Sequence, residues 1–520
     1  MWFLPNRRNQ IIAVLQVILT GFSCTNSEAQ SLNYTVSFPT PNTHQMHIEL
    51  DASGWNSDTI MATMPKWTPG YYQILDYGKF VTNFKVIENG KQRIIHTTQG
   101  NQWIFTIQKN KAFHCSFDVL TEKQFVANSY VDSNRAYIIP GAAFPFINGK
   151  INIPISIKIN APKQWNQIAT GLSNKIGKKN ELTAPNFDDL YDSPILIGAL
   201  ESLQPFLIKG IEHRFVGYKL GEFDHAAFRK NLEKMVKTAS DLIGEIPYEH
   251  YSFIGIGPGR GGIEHLNSTT VSFDGKELNT KKGVNRMMSF LAHEYFHHYN
   301  VKRIRPFELG PFDYTKENRT NLLWISEGLS VYYEYLIIKR AGIIDESTLY
   351  NNFESNINTL ENNPGRLYQS LAQASYDTWS DGPFGKQGTD ANKSISYYDK
   401  GPVVGILFDF AIRHATANQK SLDDVMRYLY WHYYKELHRG FTDAEFQQAC
   451  ENIAGISLTD LFEYVYTTKE LDYKPYLNYA GLEFTSKADE KTGKKSYTLN
   501  QIQKPTKEQS DILQSWLGNK

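Results

Sequence analysis

The sequence predicts a multidomain α+β protein: an N-terminal antiparallel β-sandwich, then an α+β part with a helical C-terminal half. Three observations carry this. The chain has 520 residues, more than one ordinary domain holds. From Ser31 to about Leu207 it is written in short alternating or β-branched runs, such as LNYTVSF, MHIELDA, QWIFTIQ and CSFDVL, punctuated by Gly, Pro, Asn and Asp. Beyond Asp224 apolar residues recur at spacings of three and four, the helical period. With 41% hydrophobic and 21% charged residues, the composition is globular rather than disordered.

Residues 1–29 read as an export signal. Arg7 and Arg8 supply positive charge, and IIAVLQVILTGF is an apolar core too short to span a bilayer. Two exits are open. Ser27-Glu28-Ala29 fits small-x-small cleavage before Gln30, and Ser23-Cys24 fits lipoprotein processing, which would attach the chain to a membrane through a lipidated Cys24. Either way the expected location is outside the cytoplasm, periplasmic or at the cell envelope. Residues 30–207 form the expected sandwich. Within it, Met64 to Tyr72 (MPKWTPGYY) carries two prolines and a glycine, which forbid a central strand. It reads as a rigid structural turn or as a loop packed on the next domain.

Residues 208–345 make the second part. Gly210 to Gly221 reads as a strand. Asp224 is a plausible N-cap for an amphipathic helix through Phe228, Leu232, Met235, Ala239 and Leu242, ended by Gly244 and Pro247. HYSFIGIG and TTVSFD read as strands, NRMMSFLAHEYFHHYN as a helix, Val301 to Arg319 as a loop, and LLWISEGLSVYY as a second buried helix. Residues 346–485 are helical with breaks, with capped starts at Ser421/Asp424 and Thr442/Glu445. Residues 486–520 read as a short tail with a charged turn and a last helix around Lys507–Leu517.

Lys+Arg and Asp+Glu each number 54, so the chain lacks the basic surplus that nucleic-acid binding needs. Of its three cysteines, Cys115 and Cys450 lie far apart beyond the export signal, which leaves no disulfide framework and no cysteine zinc site.

The chemistry gathers around His293-Glu294-Tyr295-Phe296-His297. On a helix the two histidines project about 40° apart and can hold one zinc ion, with Glu294 placed as general base toward a zinc-activated water. A catalytic zinc needs a third protein ligand. Glu327, a carboxylate in an otherwise apolar helix, is the best candidate; a buried ion pair with an arginine is its alternative. His298 points about 140° from His293 and is expected to be a supporting or surface group. Glu264 follows the glycine-rich turn Pro258 to Gly262; it suits a substrate ammonium or is a solvated surface charge. Tyr398, at the start of an apolar helix, suits an oxyanion or simple packing.

In order, GGIEH, HEYFH, WISEG and YYDKG resemble the motifs of the glycyl aminopeptidases, a gluzincin family with a thermolysin-like catalytic domain. MPKWTPGYYQILDY, FDDLYDSPI, HHYNVKRIRP and SYYDKGPVVGILFDFAIR extend the resemblance over roughly residues 31 to 485. The resemblance implies zinc ligation by His293, His297 and Glu327, one Zn2+ per chain, Glu294 as base and Tyr398 as oxyanion donor. It places Glu264, with Gly262 in the same motif, at the substrate amine. It further implies peptide substrates with a free N-terminus and a small first residue, glycine or alanine. Many relatives carry a C-terminal PDZ-like domain, for which the tail beyond Leu482 is too short. Two rival readings remain: an endopeptidase on the same zinc site, and a catalytically silent peptide-binding protein of the envelope. Oligomeric state has no signature in the sequence.

Overall fold

Burial in the N-terminal strands follows their alternation. Along Phe113–Leu120 the side chains of Phe113, Cys115, Phe117 and Val119 are buried and those between are half-buried. The computed structural model describes residues 30–386 and 388–519; the predicted export signal and Cys24 lie outside them. Eight strands form the main N-terminal sheet, in the order Ser173–Asn174, Glu181–Ala184, Ile155–Asn160, Ser31–Ser37, Gln45–Ser53, Phe113–Leu120, Val81–Glu88, Lys91–Gln92. Two four-stranded sheets complete this part. Ser31–Ser37 pairs antiparallel with Gln45–Ser53 but parallel with Ile155–Asn160, so the main sheet is mixed rather than wholly antiparallel as the sequence suggested. Alternation reports which face is buried, not the direction of a partner more than a hundred residues away.

Cys115 and Cys450 are buried free thiols, and burial pushes both thiols far up, so neither is a reactive group. Among the described residues no helix is long and apolar enough to cross a membrane.

The second sheet begins ahead of residue 208, where the sequence reading put the boundary. Glu201–Ser202 and Phe206–Ile208 both pair with Ile211–Gly217. That strand runs parallel to His250–Gly255, which runs parallel to Ser268–Val271. Gly262–Glu264 closes the edge, antiparallel to Ser268–Val271. Helix α1 (His225–Ile243) makes the crossover; the Asp224 side chain accepts from the Ala227 N–H, and Gly244 takes the left-handed conformation that ends it.

Helix α2 (Lys281–Phe296) is capped by Thr280 and packs against α1. Trp324–Gly328 forms a π-turn, in which the Leu329 N–H donates to the Trp324 carbonyl five residues back, and runs directly into α3 (Leu329–Arg340). Helix α4 (Glu346–Glu361) and the apolar α5 (Tyr397–Ala415) pack against α3. Both predicted capped starts form: the Ser421 N–H donates to Asp424 Oδ2, and Thr442 with Glu445 makes the capping box.

The C-terminal segment is no loose tail. Leu482–Ala488 pairs with Lys495–Gln501 in a hairpin, so a boundary after residue 485 cuts a strand. The hairpin packs on α4, and α6 (Lys507–Leu517) packs on α3 and α5. Trp516 of α6 is fully buried, and its Nε1 donates to the Tyr332 hydroxyl at 3.0 Å.

Candidate metal centre

Between Gly283 and His297 helix α2 contains neither glycine nor proline, so its period is unbroken and His293 and His297 stand on one face. Each ring has a polar group behind it, hydrogen-bonded for His297 and in ion-pair contact for His293. Nδ1 of His297 lies 2.8 Å from the Asn300 carbonyl, and Nδ1 of His293 lies 2.9 Å from Glu334 Oε2. Glu334 is itself held by the Ser289 hydroxyl, which donates to Oε1 at 2.8 Å. Both Nε2 atoms therefore turn the same way and stand 2.9 Å apart. Glu327 Oε2 lies 3.3 Å from His297 Nε2 and 3.6 Å from His293 Nε2. Its predicted alternative, an arginine partner, is not what the structure shows.

A zinc ion bound tetrahedrally at 2.0–2.2 Å has neighbouring ligand atoms about 3.3 Å apart. The triangle His293 Nε2, His297 Nε2, Glu327 Oε2 has that size, and all three residues are buried. The electrostatics agree. Burial opposes charge on Glu327, but His297 and His293 outweigh it and hold its carboxyl well below the usual range. Burial likewise opposes a proton on His293, yet Glu327 and Glu334 raise its proton affinity. The site calls for positive charge, and a metal would take the place of that proton.

Glu294 is buried rather than on a helix surface. Burial pushes its carboxyl up to about 8, against the pull of His293 and His297, and its Oε2 has no hydrogen-bond partner. Tyr398, on the first turn of α5, donates to Glu327 Oε2 at 3.0 Å. A glycine contact allows this: a Cβ on Gly328 would lie 2.7 Å from the Gly401 Cα, so only hydrogens let the two segments close to this distance. Burial and Glu327 raise the Tyr398 hydroxyl well above its usual range, so it stays protonated as a donor.

The edge strand supplies Gly262 and Glu264. A Cβ on Gly262 would come within 2.8 Å of Glu294 Oε1. Glu264 is only 4% exposed, not a solvated surface charge. Lys302 Nζ stands 3.5 Å from Glu264 Oε1 and 2.8 Å from Asp192 Oδ1, and His265 Nδ1 lies 3.2 Å from the same Asp192 oxygen. Burial opposes the Asp192 charge, but Lys302 and His265 keep its carboxyl below the usual range. Burial lowers the proton affinity of His265, leaving it neutral. Two carboxylates thus share one ammonium, and Glu264 Oε1 keeps no hydrogen-bond partner.

His298 corrects the sequence reading. It is fully buried behind the site against Tyr248, Tyr251, Tyr295 and Tyr299, and neither ring nitrogen is hydrogen-bonded. It stays out of the triad, as its angle required, but it is not a surface group, because α2 is covered on its far side too. Sequence reasoning missed Glu334, Asn300, Lys302 and Asp192. Lys302 and Asp192 lie inside HHYNVKRIRP and FDDLYDSPI, segments already singled out without a role. Trp67 of the N-terminal part is fully buried; its Nε1 donates to the Asp313 carbonyl at 2.9 Å, and its ring packs on Phe312, Tyr314 and Trp379. The loop that carries it is packed on the catalytic half.

The chain shares 25% identity and a TM-score of 0.83 with an aminopeptidase N family protein from Idiomarina loihiensis, over 88% of this chain and 80% of that one. It shares the fold of an M1 zinc metallopeptidase from Deinococcus radiodurans (12% identity, TM-score 0.51, 85% of this chain and 94% of that one). It shares it too with yeast LTA4 hydrolase in complex with bestatin (15%, TM-score 0.51, 85% and 68%). A comparison with curated proteins returns no significant match. The M61 glycyl aminopeptidase profile matches residues 286–404, and that of the peptidase M61 N-terminal domain matches 33–199. These matches take in more than half of the chain, with His293, Glu294, His297, Glu327 and Tyr398 among the matched residues, and the chain belongs to the M61 glycyl aminopeptidase family of zinc metallopeptidases.

Proposed function

We propose that the protein removes small N-terminal residues, glycine and alanine, from peptides with a free amine. One zinc ion, held by His293, His297 and Glu327, would supply Lewis acidity for the scissile carbonyl and for the attacking water. Glu294 takes the proton of the attacking water and returns it to the departing amine. Tyr398 donates to the oxygen that gains charge as the carbonyl becomes tetrahedral. Glu264 grips the α-ammonium and sets the cut one residue in.

The observation that supports an exopeptidase is the charge balance at Glu264. Asp192 and Glu264 face one Lys302, which stands closer to Asp192, so surplus negative charge is buried at Glu264 with no hydrogen bond to its Oε1. A free N-terminus brings the missing ammonium; an internal peptide segment does not. The chain's export, and the choice between cleavage before Gln30 and lipidation of Cys24, are part of the same proposal.

The test compares free-amine and N-acetylated glycyl and alanyl substrates on purified protein with its metal content measured. Turnover confined to the free amines supports the reading. Glu294→Gln should keep its zinc and lose about 10²–10⁴ in kcat. Equal turnover of acetylated substrates would make the protein an endopeptidase. Loaded zinc without turnover would make it a binding protein.

A further inference from the structure

The segment around Trp67 is fixed at both ends, and its tip lies in the site. Thr68-Pro69-Gly70-Tyr71 is a tight turn: Pro69 occupies its second position, Gly70 its third with φ +86°, and the Tyr71 N–H donates to the Thr68 carbonyl at 3.1 Å. This is the type II arrangement, which needs glycine at the third position. The base is pinned by Lys66, whose N–H donates to the Tyr314 carbonyl at 2.8 Å. Its own carbonyl accepts from Leu75 and Asp76. Trp67 locks the turn onto Phe312, Tyr314 and Trp379.

The turn reaches the Glu264 carboxylate. A Cβ on Gly70 would lie 2.7 Å from Glu264 Oε2 and 2.6 Å from Ile263 Cγ2, so the Gly70 backbone rests on the edge strand where Glu264 leaves it. Tyr72 follows two residues later. It is 8% exposed, and its ring stands against Trp379 with centroids 6.1 Å apart. Among the described residues its hydroxyl has no hydrogen-bond partner, and it lies in the field of Glu327, Glu264, Tyr397 and Asp192, which with burial raise its proton affinity well above normal. Glu327 marks the metal end of the site and Glu264 the amine end. The first residue of a peptide must lie between them.

We infer that Tyr72, delivered by the N-terminal domain, is the wall that limits the size of the first residue's side chain. This rests on the proposed aminopeptidase reading and goes further, because it names what excludes larger residues. The Gly70 backbone covers Glu264 from one side and the Tyr72 ring fills the space a longer P1 side chain would need. Trp379, itself packed edge-on against Trp67, keeps the ring from swinging aside. The N-terminal domain is then part of the specificity machinery, not only a support.

The test measures kcat/KM for free-amine leucyl and glycyl p-nitroanilides in wild type, Tyr72→Ala and Tyr72→Phe, after melting curves and zinc content establish that each is folded and loaded. Tyr72→Ala is expected to raise the leucyl-to-glycyl ratio about tenfold, the scale on which a pocket discriminates small apolar groups. Tyr72→Phe keeps the ring and should leave the ratio within about threefold of wild type. Titration calorimetry of leucine amide and glycine amide on the same proteins gives a readout without turnover, and only Tyr72→Ala should gain leucine amide affinity. A ratio that rises less than about threefold in folded Tyr72→Ala overturns the inference. If the alanine variant does not fold, Tyr72→Val carries the same test. Failure of the aminopeptidase reading looks different: wild type would then not distinguish free from acetylated amines.

Discussion

Gly262→Ala tests the coupling between the edge strand and the base. An alanine Cβ would stand 2.8 Å from Glu294 Oε1 and 2.8 Å from Phe290 Cζ. Relaxed carbon–oxygen contacts need about 3.3 Å or more, and carbon–carbon contacts about 3.5 Å. The Glu294 carboxylate must therefore retreat by about 0.5 Å, since Phe290 closes the other side. A displacement of about 1 Å in a catalytic group can cost a hundredfold, so half of that predicts about a tenfold loss in kcat. The triad is untouched, and zinc content should equal that of wild type. Gly262 sits in an ordinary strand, so the stability cost is that of the two close contacts, about 1–3 kcal/mol, and melting curves should show the variant folded. The assay is steady-state hydrolysis of an alanyl anilide, with metal analysis on the same preparation. On a Glu294→Gln background the alanine should cost nothing more, because the group it displaces no longer acts. Full activity in the single variant, or an equal further loss in the double variant, would refute the argument.

Two further outcomes follow from groups the sequence did not reveal. Glu334→Ala removes the carboxylate behind His293 and should weaken zinc binding by about 10–100-fold, read by competition with a chelator; unchanged affinity would make the contact incidental. Trp516→Ala should cost about 3–5 kcal/mol in chemical denaturation, because its indole is fully buried against α3 and α5; a loose appendage would cost almost nothing.

The triad was legible because its information is local. His293 and His297 are four apart on one helix, and Glu327 is a charge where apolar residues belong. Glu264 and Tyr398 stood out only through family resemblance, since a glutamate after a glycine turn or a tyrosine at a helix start has many ordinary explanations. Asp192, Lys302, Glu334 and Tyr72 were silent because their roles come from contacts across long stretches of chain. Asp192 meets Lys302 from the other domain, 110 residues away. The C-terminal hairpin escaped for a different reason. Of its two strands only Leu482 and Leu499 are buried, so there is almost no alternation to read. The π-turn had no signature either, because helical periodicity in LLWISEGLSVYY does not register one surplus residue.

That surplus residue sets a rule about length. Each residue of a helix turns the side chains by about 100°, and the π-turn at Trp324–Gly328 winds in one more than an α-turn would. The direction of Glu327 is therefore a matter of phase. Removing one residue at this point would let the helix relax into regular winding and swing the carboxylate about a quarter turn from the histidines, with all three side chains of the triad still present. The loop from Val301 to Arg319 carries no such phase. Its constraint is contact instead: Lys302 holds Asp192, and Asp313 and Tyr314 hold the Trp67 turn, so its length can change only between those anchors, while the π-turn can lose not even a single residue.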